Sequence, residues 1–331
     1  EFCKIQAKEK NFLQVLRGFD ELSTFNEPPN LPLLSIFSSG EDFIKSKLFC
    51  PHLRTLLFFD QTAARYFQLA DTSFPFSIYK RLNVLKLDHI HLMQEELPEE
   101  VESLLNLRYL AIRAKNIPPS IAKISNLETF SLKHCREVTL PGTIWSMKKL
   151  RHLHVRPGPA VIGRLPKDNA VENSSTLLNL DTLSNLDLPF NQEGENIMRK
   201  IQNIRKLRIS STMAGRNVCC NMSRLESLES LTLLLIDPLR KGSLLDSLRS
   251  RNIELSLPMS LKKLLLAGLF LPCSKMQLIE QLPNLEVLKL HHDSLYGGSW
   301  ELTKGGFTKL RVLTFSQLDI VEWTESDPDS D

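Results

Sequence analysis

Apolar residues in this chain recur in one phrase: an aliphatic residue, two variable positions, a second apolar residue, one variable position and a third apolar residue. Twelve copies begin at Leu31, Leu53, Leu82, Leu107, Leu127, Leu150, Leu183, Ile204, Leu228, Leu261, Leu285 and Leu310, with starts 20 to 33 residues apart. A copy such as LRYLAI predicts a short strand. Side chains alternate along a strand, so Leu110 and Ile112 share the inward face while Tyr109, Ala111 and Arg113 point away from it. Between several copies the pattern changes to Leu-Pro or Ile-Pro followed by aliphatics three residues apart: Leu97, Pro98, Val101, Leu104; Ile117, Pro118, Ile121, Ile124; Leu140, Pro141, Ile144, Met147. That spacing predicts a tight helical return with proline at its start. A unit of one strand and one return cannot bury its own apolar face, so stability must come from stacking neighbours.

The period is that of a leucine-rich repeat. The expected fold class is an α/β solenoid, an irregular leucine-rich repeat horseshoe of about 12 repeats with a parallel sheet on its concave face. Residues 1–28, with Ile5, Phe12, Val15 and Leu16 among good helix formers, read as a helical linker. Residues 29–318 are the solenoid, with Pro32 marking an edge strand, and 319–331 an acidic disordered tail. The stretch RPGPAVIGRLPKDNAVENSST reads as a loop, the kind of place where binding specificity resides. The phrase after it is taken from Leu183 rather than Leu180. Cys135, Asn191 and Asp293 fall in the slot where such repeats place Asn or Cys to bond backbone between coils. The start, Glu1-Phe2-Cys3-Lys4, has no initiator Met or apolar leader, and the end has no capping helix, so the chain reads as a fragment.

Composition narrows the chemistry. With 42% hydrophobic and 24% charged residues, and no apolar run near the roughly 20 residues that span a bilayer, no integral membrane segment is expected. Six cysteines without a CxxC pair indicate reduced thiols, and the sequons at Asn173 and Asn221 would matter only in a secreted protein. No nucleophile elbow or phosphate-cradling GxxxxGK[ST] occurs. His152-x-His154 and Asp88-His89-x-His91 lack a third ligand at fixed spacing, so neither a metal centre nor catalytic residues are expected. A net charge of +3 and few aromatics in the groove argue against nucleic acid.

The third, fifth and seventh residues of each phrase are expected on the concave face. There the basic residues Lys86, Arg113, Lys133, Arg156, Lys206, Arg208, Lys263 and Lys289, with His152, His154 and His291, outnumber Asp88 and Asp187, although the whole chain is balanced at 41 basic to 38 acidic. This lane fits a partner with an acidic surface; the plainer alternative is a solvated sheet face whose charges blunt aggregation. In the first coils the same positions are apolar, Leu33, Phe37, Leu57 and Phe59. That points to a surface covered by an intramolecular contact, or to a register one residue off, with these side chains in the core.

The runs LPEEVESLLNLRYLAI and NIPPSIAKISNLETFSLKHCREVTLPGTIWSMKKLRHLHV resemble the leucine-rich repeat domain of plant intracellular nucleotide-binding immune receptors, and most closely the late blight resistance proteins of nightshade plants. EFCKIQAKEKNFLQVL looks like the segment that follows the nucleotide-binding module in that family. The resemblance implies a non-enzymatic role in plant defence and the hypersensitive response, in the cytoplasm or peripherally at membranes. The implied partners are a pathogen effector or guarded host protein and the receptor's own nucleotide-binding module, which this domain would hold inactive through Leu33, Phe37, Leu57 and Phe59. It implies no cofactor in this chain, ATP or ADP belonging to the module that the chain lacks. The alternative is an F-box-type leucine-rich repeat substrate receptor of a ubiquitin ligase, for which the first 25 residues are too short to supply the F-box bundle. An extracellular receptor ectodomain would favour LxGxIP returns and paired capping cysteines.

Overall fold

The computed structural model describes residues 12–26, 31–59, 74–90, 96–133, 138–156, 163–164, 177–187, 192–212, 217–236, 252–318 and 320–325. The chain divides into two compact units, Glu1–Asn179 and Leu180–Asp331.

In the first unit a strand β1 (Leu13–Arg17) comes first, and the repeated phrase then forms strands β2 (Leu33–Phe37), β3 (Thr55–Phe59), β4 (Val84–Lys86), β5 (Tyr109–Arg113) and β6 (Thr129–Lys133). The two-residue β7 (Val138–Thr139), then β8 (His152–Arg156) and the two-residue β9 (Gly163–Arg164) follow. Strands β1 to β6 and β8 pair in parallel in chain order, and β7 pairs with β9. The inward residues are sealed: Leu107, Leu110, Phe130, Leu132, Leu150 and Val155 are fully buried. The predicted returns are 3₁₀ turns at Glu99–Ser103, Pro119–Lys123 and Gly142–Ser146. In each a run of i→i+3 bonds leads back into the next strand, as in Val101 N–H to Pro98 O, Leu104 N–H to Val101 O and Leu107 N–H to Leu104 O, at 3.2, 3.1 and 3.0 Å. The three-residue spacing thereby puts Val101 and Leu104 against the core.

A second backbone device recurs in both units. In coil after coil the carbonyl of the phrase's second residue accepts two N–H groups from the next coil. Pro32 O takes Arg54 and Thr55, Arg54 O takes Asn83 and Val84, Asn83 O takes Arg108 and Tyr109, Arg205 O takes Glu229 and Ser230, and Lys262 O takes Glu286 and Val287. These second residues line the sheet along the strand starts and form a ledge.

Two expectations about the beginning need correction. Residues 13–17 form a strand rather than a helical linker, in register with β2 from Leu13 opposite Leu33 to Arg17 opposite Phe37. Pro32 therefore does not mark an edge; β1 lies beyond it, and the proline merely lacks the N–H that other second residues give to the preceding coil.

The second unit carries β10 (Thr182–Asp187), β11 (Lys206–Thr212), β12 (Asn217–Asn221), β13 (Ser230–Ile236), β14 (Asn252–Ser256), β15 (Lys263–Ala267) and β16 (Leu271–Pro272). These are followed by β17 (Val287–His291), β18 (Leu295–Tyr296), β19 (Gly298–Leu302), β20 (Val312–Ser316) and β21 (Ile320–Glu325). Its sheet runs β10-β11-β13-β15-β17-β20, all parallel, with β12-β14, β16-β18 and β19-β21 as separate pairs. The β10 register places Thr182 opposite Lys206, so the phrase starts at Leu180, not Leu183. Asn185, buried at φ 59°, is an extra residue that makes a bulge, after which Leu186 meets Ile209. Thr182 and Ser184 thus replace Asn185 on the outer face.

Residues 320–325 are a strand, not disordered tail. Trp323 lies opposite Trp300 and packs at 6.2 Å from its ring, an apolar anchor that outweighs the acidic composition around it. Trp300, 1% exposed, also meets Phe307 and Phe315 edge-on at 6.0 and 5.9 Å. Its indole Nε1–H donates to Oε1 of Glu280, while Oε2 accepts the Thr303 N–H, both at 2.8 Å. Asp293 bonds between coils through its backbone, giving its N–H to Gln317 O and accepting from Phe270, with its side chain exposed; Cys135 and Asn191 lie outside the described residues. Among the described residues no helix is long and apolar enough to cross a membrane.

Candidate partner-binding face

Parallel register aligns the outward positions of successive coils into rows running across the strands. In the first unit the third-position row reads Leu13, Leu33, Thr55, Val84, Tyr109, Thr129, His152, and the fifth-position row Val15, Ser35, Leu57, Lys86, Ala111, Ser131, His154. At the seventh position Arg17, Phe37 and Phe59 align on β1 to β3, and Arg113, Lys133 and Arg156 on β5 to β8. Their inward neighbours Leu34, Ile36, Leu56 and Phe58 are fully buried. Leu33, Phe37, Leu57 and Phe59, each half-buried, therefore lie on the outer face, and the one-residue shift is excluded.

The apolar patch is organised by its aromatic rings. Phe37 and Phe59 stack at 4.8 Å with 14° between planes. The Arg17 guanidinium sits 5.4 Å from the Phe37 centroid, and the Lys86 ammonium 4.1 Å from that of Phe59. Cations thus bracket both ends of the stack, where the negative ring faces attract them. Lys86 also pairs with Asp88 at 3.2 Å, and Asp88 is only 5% exposed. The expected lane cation Lys86 is therefore engaged inside the face, because the turn after its strand supplies a carboxylate two residues on and β3 supplies a ring. His89, 6.3 Å from Phe59, and Arg17 complete the cluster. The sequence reading missed Arg17 because it assigned residues 13–17 to a helix.

Farther along the unit, Arg113 and Lys133 occupy adjacent strands with the Arg156 backbone beside them; the Arg156 side chain is outside the described residues. His152 and His154 share one face of β8, with rings parallel within 3° and 6.0 Å apart. In the second unit Lys206, Arg208, Lys263 and Lys289 are all exposed. Lys206 aligns through Ser230 with Lys263, two strands away, and Arg208 through Thr232 and Leu265 with Lys289, three strands away. At the strand spacing of about 4.8 Å these are separations of roughly 10 and 14 Å, a dispersed set rather than a continuous track. Among the described residues no group of three His, Cys, Asp or Glu could hold a metal ion.

The ledge is electrostatically patterned as well. Arg108 Nη2 meets Glu128 at 2.7 Å, and Arg205 Nη2 meets Glu229 at 2.7 Å, with Lys262 at 3.7 Å from the same carboxylate. The hydrogen bond from Arg205 holds the Glu229 carboxyl below its usual range.

Comparison with known proteins places this geometry. A family model described as a leucine-rich repeat region matches residues 52–324. Late blight resistance protein homolog R1B-16 of Solanum demissum is 30% identical, over 99% of this chain and 25% of its own length. A second late blight resistance protein homolog of the same species is 29% identical, over 99% of this chain and 42% of its length. The chain thus spans between a quarter and two fifths of these two relatives. Among solved structures, the plant peptide hormone receptor RGFR1 in complex with RGF2 superimposes with a TM-score of 0.51 at 18% identity, covering 92% of this chain and 46% of that one, a likeness of fold alone.

Proposed function

The chain belongs to the leucine-rich repeat region family, and from that premise we propose that it is the recognition and regulatory domain of a plant disease-resistance receptor, acting by binding rather than by catalysis. The observation that carries the reading is the division of the first unit's outer face into two chemistries. On β1 to β4 a half-buried apolar and aromatic patch is bracketed by Arg17 and Lys86; on β5 to β8 Arg113, Lys133 and the imidazoles of His152 and His154 align with Arg156. The apolar patch suits a lasting contact within the receptor, and we assign Leu33, Phe37, Leu57 and Phe59 to its nucleotide-binding module, which carries the ATP or ADP. The basic residues suit a reversible, electrostatically steered encounter. We assign Arg113, Lys133, His152, His154 and Arg156, and in the second unit Lys206, Arg208, Lys263 and Lys289, to an acidic surface of a pathogen effector or guarded host protein in the cytoplasm.

The test is a pull-down between this chain and a separately expressed nucleotide-binding module of the same receptor. Phe37→Ala with Phe59→Ala is expected to abolish capture, and Lys133, Arg156, Lys206 and Arg208 changed together to Glu is expected to leave it intact, both variants keeping their circular dichroism. Loss of capture in the charge variant would move the module onto the basic residues. Undiminished capture by the phenylalanine variant would sink the assignment of the apolar patch.

A further inference from the structure

Beside the strand starts of the first unit lies a cavity of about 460 Å³ lined by Pro32, His52, Arg54, Arg81, Asn83 and Asn106. Pro32, Arg54 and Asn83 are consecutive second residues of the ledge, and His52, Arg81 and Asn106 each directly precede a phrase start. The repeat therefore brings all six together from three coils, although they are far apart in sequence. The lining holds two guanidiniums, an imidazole and two carboxamides, and no carboxylate.

That charge balance departs from the pairing seen at three other ledge cations. Arg108 is neutralised by Glu128 in the next coil, and Arg205 and Lys262 by Glu229. The ledge neighbours of Arg54 are Pro32 and Asn83, which carry no charge, and among the described residues neither Arg54 nor Arg81 has an ion-pair partner. The ledge carbonyls of Pro32, Arg54 and Asn83 are each occupied by two N–H groups of the following coil, so the polar groups that offer themselves to a ligand are side chains, foremost the guanidiniums of Arg54 and Arg81.

We propose that this cavity binds a phosphorylated small molecule through its phosphate group. A single guanidinium fork satisfies both oxygens of a carboxylate. Two forks, with an imidazole and two amide groups beside them, call for an anion with more oxygens and more charge, and a phosphate supplies both. The volume falls within the range of about 300–1,000 Å³ that holds small-molecule ligands and leaves room for an organic moiety beyond the phosphate. The site is separate from the outer face, since its residues lie at the strand starts rather than on the outward positions of the sheet.

The probes are pyrophosphate and ATP, with citrate as a polycarboxylate of comparable charge and a glutamate-rich peptide as the macromolecular control. Each is titrated calorimetrically into the whole 331-residue chain at fixed ionic strength. Saturable binding of pyrophosphate and ATP is expected, weakened at least tenfold by Arg54→Gln with Arg81→Gln and unchanged by Arg108→Gln, which removes a ledge arginine outside the cavity. Both arginines are exposed, so circular dichroism of the double variant should match the parent. Pyrophosphate binding by the double variant at the parent's affinity would overturn the site. Citrate binding as tightly as pyrophosphate would overturn phosphate as the chemistry, and binding of the acidic peptide alone would overturn the small molecule in favour of a protein contact.

Discussion

Changing Glu280 to Gln removes one negative charge and one acceptor from a place that uses both carboxylate oxygens. Glu280 is 2% exposed; Oε1 accepts from the Trp300 indole and Oε2 from the Thr303 backbone, both at 2.8 Å. Glutamine offers a single oxygen, so its NH₂ must face one of the two N–H donors and leave it unpaired in a buried site. A hydrogen bond to a charged group is worth about 1.5–3 kcal/mol, and a stranded buried donor costs about 1–3 kcal/mol. A loss of about 2–4 kcal/mol is expected for Glu280→Gln, with a similar or larger loss for Glu280→Ala, which strands both donors and opens space. Because Trp300 joins Phe307, Phe315 and Trp323, the damage should be local before it is global. The assay pairs urea denaturation with hydrogen exchange of the Trp300 indole N–H, expected to quicken by two orders of magnitude or more. A Glu280→Gln variant within about 0.5 kcal/mol of the parent, with unchanged indole exchange, would refute the argument that this carboxylate is held by two obligatory bonds.

Four further outcomes follow from the same structure. Lys86→Met leaves the nearly buried Asp88 carboxylate without its ion pair and is expected to cost about 1–3 kcal/mol, most of it recovered by adding Asp88→Asn; equal denaturation midpoints for Lys86→Met and the parent would contradict the pairing. At Gly268, φ is 71° and an added Cβ would lie 2.2 Å from the Leu235 carbonyl oxygen, so Gly268→Ala should destabilise by more than about 2 kcal/mol, and a neutral effect in urea titration would show that the approach is looser. Leu110 is fully buried, and Leu110→Ala should cost about 2–5 kcal/mol and reduce amide protection across β4, β5 and β6; protection lost in β5 alone would argue against stacking as the source of stability. The depressed carboxyl of Glu229, held first by the Arg205 hydrogen bond, contributes stability that is complete above its unfolded value of about 4.3 and is lost as pH falls through its lower folded value. Glu229→Gln should therefore flatten the decline of stability with pH below about 4.3, and parallel acid titrations of variant and parent would count against it.

The strands announced themselves where each coil keeps its three apolar residues, as at Leu107, Leu110 and Ile112, because burying them is what makes the strand. β1 escaped because Gln14 stands where its register partner in β2 is Leu34; the first coil is recognisable only through its neighbour. LSNLDLPFN offers the full phrase from Leu183 with Asn191 in the slot, whereas from Leu180 the bulge at Asn185 moves Leu186 into the place that an unbroken phrase would give to residue 185, and a fixed spacing rule has no way to count an extra residue. β21 was hidden by acidic composition, although Trp323 was a legible anchor. On the candidate face, alternation correctly separated Leu33, Phe37, Leu57 and Phe59 from the core, since period two is a local rule. Which cations are occupied within the face was not legible, because the contact between Lys86 and Phe59, 27 residues apart in sequence, depends on the register between their coils. The ledge cavity fell between phrases, and its signal, Arg54 at a second position and Arg81 just before the next phrase start with no glutamate on the adjoining ledge positions, appears only once the coils are aligned.

The doubly accepting carbonyl along the ledge asks nothing of its own side chain: proline, arginine, asparagine, glutamate and lysine all occupy the position at Pro32, Arg54, Asn83, Glu229 and Lys262. The joint between coils is thereby uncoupled from the identity of the residue that makes it. Sequence drift there can rewrite the charge of an entire rim while leaving the architecture untouched, and a lineage under pressure to meet new ligands could explore that rim one substitution at a time without risking collapse.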